Sequence, residues 1–279
     1  MSRIYDALKK LEAERRGARG NGTNGGSGNG HGNGHGNGGG NGKRRSWRWL
    51  FGNGRTGAQH PTLPLNLGPD VEDAYQRLGT NLLLPAVSDA TSTPRLVGVT
   101  ASRHGEGATT TAAVFASILA RRRGGRVAVV EANFRSPSFD AVFNVERNGG
   151  FAELILGQRS LADVTLPTEV PNLFAICSGH SPLGAPALFD SPGISAALQQ
   201  LREGFEFVVV DLPPANVYSD TSILGPRLDA ALIVIEADRT RLSEVERTRR
   251  SLERVGMKLA GTVLNRRRDY IPAFLEEML

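Results

Sequence analysis

Several common features are scarce in these 279 residues, and each absence removes a class of protein. Cys177 is the only cysteine, so neither a disulfide framework nor a cysteine zinc site can be built, and a reducing compartment is expected. The chain opens without a charged-then-apolar leader, and no apolar run approaches the roughly 18 residues that a membrane span needs. A cytoplasmic location follows as the expectation, with any membrane role peripheral or carried by a partner. Aromatics are few, and both tryptophans fall in one short stretch, Trp47 and Trp49. Acidic side chains are outnumbered, leaving a formal net charge of +5 that sits mostly in local Arg/Lys clusters. An anionic surface is the partner such clusters suit.

The most informative stretch runs from Val97 to Ala120, VGVTASRHGEGATTTAAVFASILA. It has the order of a phosphate-binding loop: an apolar strand, a glycine turn, then a helix of small residues. In that arrangement backbone N–H groups and the positive helix end hold an anion. Against the pattern G-x-x-x-x-G-K-[ST], Gly107 supplies the second glycine and Thr109 the hydroxyl, while Ala108 stands where lysine is expected. The nucleotide-binding set expected here is Gly105, Glu106, Gly107, Ala108, Thr109 and Thr110.

Residues 1–16 predict an amphipathic helix with Ile4, Leu8 and Leu11 on one face. It suits either a groove on a partner or the chain's own domain. Residues 17–42 are almost all Gly and Asn and bury too little apolar surface to offset the entropy of ordering. The whole of 17–69 is therefore expected to be a linker. His31 and His35 lack neighbouring ligands for a metal site. Lys43 to Arg55 interleaves cations with Trp47, Trp49 and Phe51. That composition suits an anionic membrane surface, a pin onto the folded domain or, as the least favoured of the three, single-stranded nucleic acid.

From residue 70 the chain reads as one domain, 70–279. A helix is predicted over 70–84 with Asp70 as its cap and Pro85 as its stop. Strands are predicted at 95–100, 126–132, 173–177, 205–214, 230–237 and 258–265, most of them short continuous apolar runs. Helices fit between them at 109–122, 149–156, 191–203 and 243–255. This is an α/β fold, a doubly wound, mostly parallel sheet of the P-loop NTPase type, with its ligand site at the carboxyl ends of the strands. At those ends fall Glu131, Asn133, Arg135, Asp211 and Asn265. Asp211 closes its strand beside the glycine loop, where an acidic side chain serves Mg²⁺.

The combination of GEGATT (Gly105–Thr110), a strand end followed by Arg135-Ser-Pro137, APALFDS, FEFVVVDLPP and GTVLNR resembles the bacterial tyrosine kinases (BY-kinases) of polysaccharide synthesis and export. These are relatives of the MinD/ParA deviant-Walker ATPases. The resemblance covers about Glu72 to Arg267, and the opening MSRIYDALKKLE is similar to family members from exopolysaccharide clusters. It implies ATP or ADP with Mg²⁺ as ligands, Thr109 and Asp211 as metal-binding residues, and Asn265 against the adenine. It also implies a membrane-embedded chain-length or export protein as partner, and a cytoplasmic place at the inner membrane.

Several family positions are altered. The loop lysine is Ala108, and the motif Asp-x-Asp-x-Arg reads Glu131, Asn133, Arg135. The oligomerisation motif Glu-x-x-Arg-x-x-Arg reads Asp73, Gln76, Gly79, and the tyrosine cluster is reduced to Tyr270. The expectation is a pseudokinase that acts as a partner or regulator. Asp211 and Glu131 are the residual catalytic candidates, and Arg103 or Arg135 the candidate replacements for the lost cation. A working tyrosine kinase with a rearranged site and a ParA/MinD-like positioning ATPase remain the alternatives.

Overall fold

A computed structural model describes residues 67–83 and 95–267. The expected N-terminal helix, the Gly/Asn linker, the Lys43–Arg55 segment and Tyr270 lie outside the described residues.

Among the described residues the strands form one sheet of seven, ordered β3-β4-β2-β5-β1-β6-β7. They are β1 (Leu96–Ala101), β2 (Val127–Glu131), β3 (Leu166–Pro167), β4 (Leu173–Ile176), β5 (Phe207–Asp211), β6 (Ala230–Glu236) and β7 (Leu259–Asn265). All neighbours pair in parallel except β3, which lies antiparallel to β4. The parallel strands match the six predicted runs. β3 was not foreseen, since two residues ending in proline give no periodicity to read.

The helices are α1 (Pro69–Leu83), α2 (Ala108–Arg123), α3 (Phe139–Phe143), α4 (Phe151–Ile155), α5 (Leu161–Val164), α6 (Ala185–Phe189), α7 (Gly193–Gly204), α8 (Asp220–Leu224) and α9 (Leu242–Arg254). At the start of α1 the prediction needs correction, because Pro69 opens the helix and Asp70 lies in its first turn. Proline's fixed φ suits the first helical position, and the acid then faces the positive helix end.

Alternate residues of each strand feed two apolar layers. Val208 and Val210 join α4, α6, α7 and α9 on one face, and Phe207 and Val209 join α1, α2 and α3 on the other. Helix α2 is buried at every position from Thr111 to Ala120. One side meets the sheet, and Tyr75, Leu78 and Leu82 of α1 belong to the same apolar cluster. That explains its small-residue composition and lack of a polar face. The three altered oligomerisation positions have local roles here. Asp73 pairs with Arg77, Gln76 Oε1 accepts from Arg122 Nη2 at 2.6 Å, and Gly79 is buried opposite Phe115 and Leu119.

The chain leaves β1 toward β2 on one side, while β5 leads to β6 on the other. The connections thus reverse direction around β1, and the carboxyl ends of β1, β2, β5, β6 and β7 share one edge. Ligands of open α/β sheets bind at such a point.

Candidate functional site

The loop from Ser102 to Gly107 links β1 to α2. Gly105 and Gly107 have φ of 82° and 96°, a left-handed conformation that a side chain would strain. Gly107 caps α2, and Thr111 N donates to its carbonyl at 2.9 Å. A Cβ at Gly105 would meet nothing within 4 Å, so the turn stands open. At Gly107 a Cβ would lie 2.1 Å from Asn265 Nδ2, because the Asn265 amide rests against the loop and donates to the Glu106 carbonyl at 2.9 Å.

Glu106 holds the loop from inside. Its carboxylate, 3% exposed, accepts from Ser102 N at 2.8 Å, Arg103 N at 2.9 Å and the Thr240 hydroxyl at 2.6 Å. Its side chain is committed to the protein, which leaves backbone groups as what this position offers a phosphate. Thr109 and Thr110 begin α2 beside Ala108, all three half-buried. No side chain at 108 extends toward the open turn.

The expected polar residues do converge. Glu131 and Asp211 are directly opposed in the β2–β5 register, and Thr109 Oγ1 donates to Asp211 Oδ2 at 2.8 Å. Burial pushes the Asp211 carboxyl well above the usual carboxylate range, with the Glu131 charge adding to that and the Thr109 hydroxyl opposing it. Asp211 Oδ1 has no hydrogen-bond partner, and neither has Asn133 Oδ1, although both residues are buried. Glu131 has no such spare capacity. Its Oε1 accepts from Ser138 N and from Phe139 N (2.8 Å), and Oε2 accepts from Ser178 N at 2.9 Å. The longer glutamate side chain thus ties the loop before α3 to the end of β4.

Both candidate replacement cations are engaged elsewhere. Arg103 pairs with Glu244 of α9. Arg135 forms a two-point pair with Asp220, Nε to Oδ2 at 2.9 Å and Nη2 to Oδ1 at 3.1 Å, and Asp220 is fully buried. The Arg135 guanidinium also stacks 4.8 Å from the centre of the Tyr218 ring, and the Tyr218 hydroxyl lies 3.3 Å from His104 Nε2 in the glycine loop.

Tyr218, Asp220, Asn216 and Thr248 were missed by sequence reasoning. Thr248 Oγ1, on α9, donates to the Glu244 carbonyl, is 2.7 Å from Ser102 Oγ, and accepts from Asn216 Nδ2 at 2.7 Å. The only signal for any of them is Asp220 in the first turn of a short helix. The others are joined by contacts across more than thirty residues that no spacing rule encodes.

The residues present fit a magnesium nucleotide. Mg²⁺ takes one or two carboxylates or hydroxyls and keeps waters, and Asp211 with an orphaned oxygen beside the Thr109 hydroxyl offers that donor set. The open turn at Gly105 offers backbone N–H groups to phosphate. When bound, such a ligand supplies a phosphoryl group and a metal charge that neutralises phosphate oxygens. This chain's residues would cradle, ligate and orient it.

No family model matches the chain. Among curated proteins it is 33% identical over 140 residues to the tyrosine-protein kinase ptk of Acinetobacter johnsonii, a match covering 50% of this chain and only 19% of that one. It is 25% identical over 204 residues to the tyrosine-protein kinase CpsD of Streptococcus agalactiae, covering 73% of this chain and 86% of the relative. Among solved structures it is similar to the chimeric protein CapA2B2, with TM-score 0.66, 25% identity, and coverage of 72% and 87%. The cell-division ATPase MinD of Pyrococcus furiosus shares the fold at TM-score 0.53 and 20% identity, with coverage of 66% and 78%. The chain thus has homologues named tyrosine-protein kinase, its fold is that of P-loop kinase domains, and MinD-like ATPases are more distant neighbours.

Proposed function

We propose that this chain is a BY-kinase-like protein that holds a nucleotide weakly and transfers phosphate poorly or not at all, and that it serves exopolysaccharide synthesis and export as a partner or regulator. The observation that carries this reading is the state of the cations around the loop. Ala108 leaves the lysine position empty of charge, and Arg103 and Arg135 are each paired with a carboxylate. Phosphoryl transfer depends on positioned positive charge and an oriented nucleophile. Glu131, at the position of a family aspartate, spends both oxygens on backbone amides, and Asn133 replaces the other aspartate.

Binding is less affected than transfer. One missing charge-assisted hydrogen bond costs about 1.5–3 kcal/mol, roughly one to two decades of affinity. The backbone cradle, Thr109, Asp211 and Asn265 remain. The partner in this reading is a membrane-embedded chain-length or export protein, and the protein acts in the cytoplasm at the inner membrane, with Lys43–Arg55 as the segment that meets anionic lipid. Relatives named tyrosine-protein kinase CpsD and putative tyrosine-protein kinase CapB support the kinase-like part of this reading.

The unpartnered oxygen of Asp211 favours a second reading, an active ATP-dependent tyrosine kinase with a rearranged site. Calorimetric titration of ADP and ATP with and without Mg²⁺ tests the first reading. Weak, Mg²⁺-dependent binding to the full chain is expected, and the absence of any binding would reduce the domain to a scaffold.

A further inference from the structure

Helix α9 has two opposite faces of different chemistry. Val245, Thr248 and Leu252, spaced i, i+3, i+7, are buried against the domain. Half a turn away, at the spacing that places them on one stripe of a 3.6-residue helix, lie Ser243, Arg247, Arg250 and Arg254. All four are exposed.

Of the acids of this helix, only Glu246 reaches that stripe, at Arg250. Glu244 pairs with Arg103, and Glu246 and Glu253 both hold Arg249 on the flank. Arg250 shares Glu246. Arg247 and Arg254 have no ion-pair partner among the described residues. Beyond the helix Lys258 is exposed, and Val255, 39% exposed, sits at its end.

We propose that the Arg247–Arg250–Arg254 face of α9 is a docking surface for an anionic phospholipid membrane. A row of guanidinium groups about 10 Å long on the apex of a helix, in which only Arg250 has an acidic partner and no aromatic side chain intervenes, matches a flat field of phosphates. Single-stranded nucleic acid is recognised with stacking rings, and the stripe has none. A protein that holds duplex through about six to ten phosphate contacts uses more than the three arginines of this face supply. The sequence also carries a second cluster of cations, with interfacial aromatics, at Lys43–Arg55. An extended lipid surface is a partner that engages both clusters at once, and two such contacts on one surface reinforce each other through effective concentration. This inference stands apart from the nucleotide reading, since the stripe is present whatever the glycine loop binds.

The test is cosedimentation of the full chain with phosphatidylglycerol-containing vesicles and with pure phosphatidylcholine vesicles, over a salt series. Binding to the anionic vesicles alone, weakening with salt, is expected. The R247Q/R254Q variant should bind them about 30-fold less tightly, from the usual contribution of a basic side chain near an anionic surface. R247K/R254K should retain binding, because a lipid surface reads charge more than fork geometry. Circular dichroism of both variants should match the parent, the side chains being exposed. A third variant, with Lys43, Arg44, Arg45 and Arg48 changed to Gln, separates the arm: its residual binding should still depend on Arg247 and Arg254. Unchanged affinity in R247Q/R254Q, equal binding to neutral vesicles, no binding at all, or loss in the lysine pair would each overturn the proposal. Tighter binding of duplex DNA or polyglutamate with the same dependence on Arg247 and Arg254 would overturn the lipid assignment.

Discussion

The two carboxylate oxygens of Asp211 differ in their surroundings: Oδ2 accepts the Thr109 hydroxyl, and Oδ1 has no donor. Burial raises this carboxyl, so its folded-state value lies above the unfolded value near 3.9. The stability this gives is full below the unfolded value and is lost as pH rises through the folded one. Asp211→Asn should therefore gain thermal stability over the parent between about pH 5 and about pH 8 in metal-free buffer, and should lose any Mg²⁺-dependent rise in Tm. Thermal denaturation at both pH values checks this, and a lower Tm for the variant at the higher pH would count against it. Beside Thr109, whose hydroxyl meets Asp211, Ala108→Lys would place a cation at the head of α2. Nucleotide affinity should rise roughly ten- to a hundred-fold, read by calorimetry, whereas an unchanged affinity would mean that another group already fills that role. Cys177 is a control of a different kind: burial, reinforced by the Glu131 charge, pushes its thiol up to about 12. It should be inert to a thiol reagent in the native protein and react on unfolding.

At the level of elements, the glycine loop is tied to α9 as well as to its own strand and helix. Ser102, Arg103 and Glu106 reach Thr248, Glu244 and Thr240 respectively. Thr248→Val removes the shared hydroxyl and leaves Ser102 Oγ buried without this partner, at an expected cost of about 1–3 kcal/mol. Chemical denaturation should show that loss, with Thr248→Ser largely restoring it. These elements also show what was legible beforehand. Val127–Glu131, Phe207–Asp211 and Ala230–Glu236 are buried on both faces, so each reads in sequence as an unbroken apolar run. Helices α3, α5, α6 and α8 have only four or five residues and show too little of the 3.6 period to announce themselves. The positions of Thr109, Asp211 and Asn265 followed from their place at strand ends or helix starts. The engagement of Arg103, Arg135 and Glu131 did not, because their partners are set by packing between distant segments.

At the scale of the molecule, the described residues form a sheet of seven strands between two apolar layers, and at its glycine loop Ala108 adds no charge while Arg103 and Arg135 are paired with carboxylates. Relatedness to tyrosine-protein kinases accounts for the scaffold. The altered residues set the proposed departure from them: Ala108 and Asn133 remove charge, and Glu131, Arg103 and Arg135 have other partners. The arginine face of α9 exposes Arg247, Arg250 and Arg254, the charge on which the proposed lipid contact rests. Incubation of the full chain with Mg²⁺ and γ-labelled ATP, followed by detection of phosphotyrosine, tests the central claim most directly. The expected result is no label on tyrosine from a protein that still binds the nucleotide. Label on tyrosine that disappears in Asp211→Ala would contradict it.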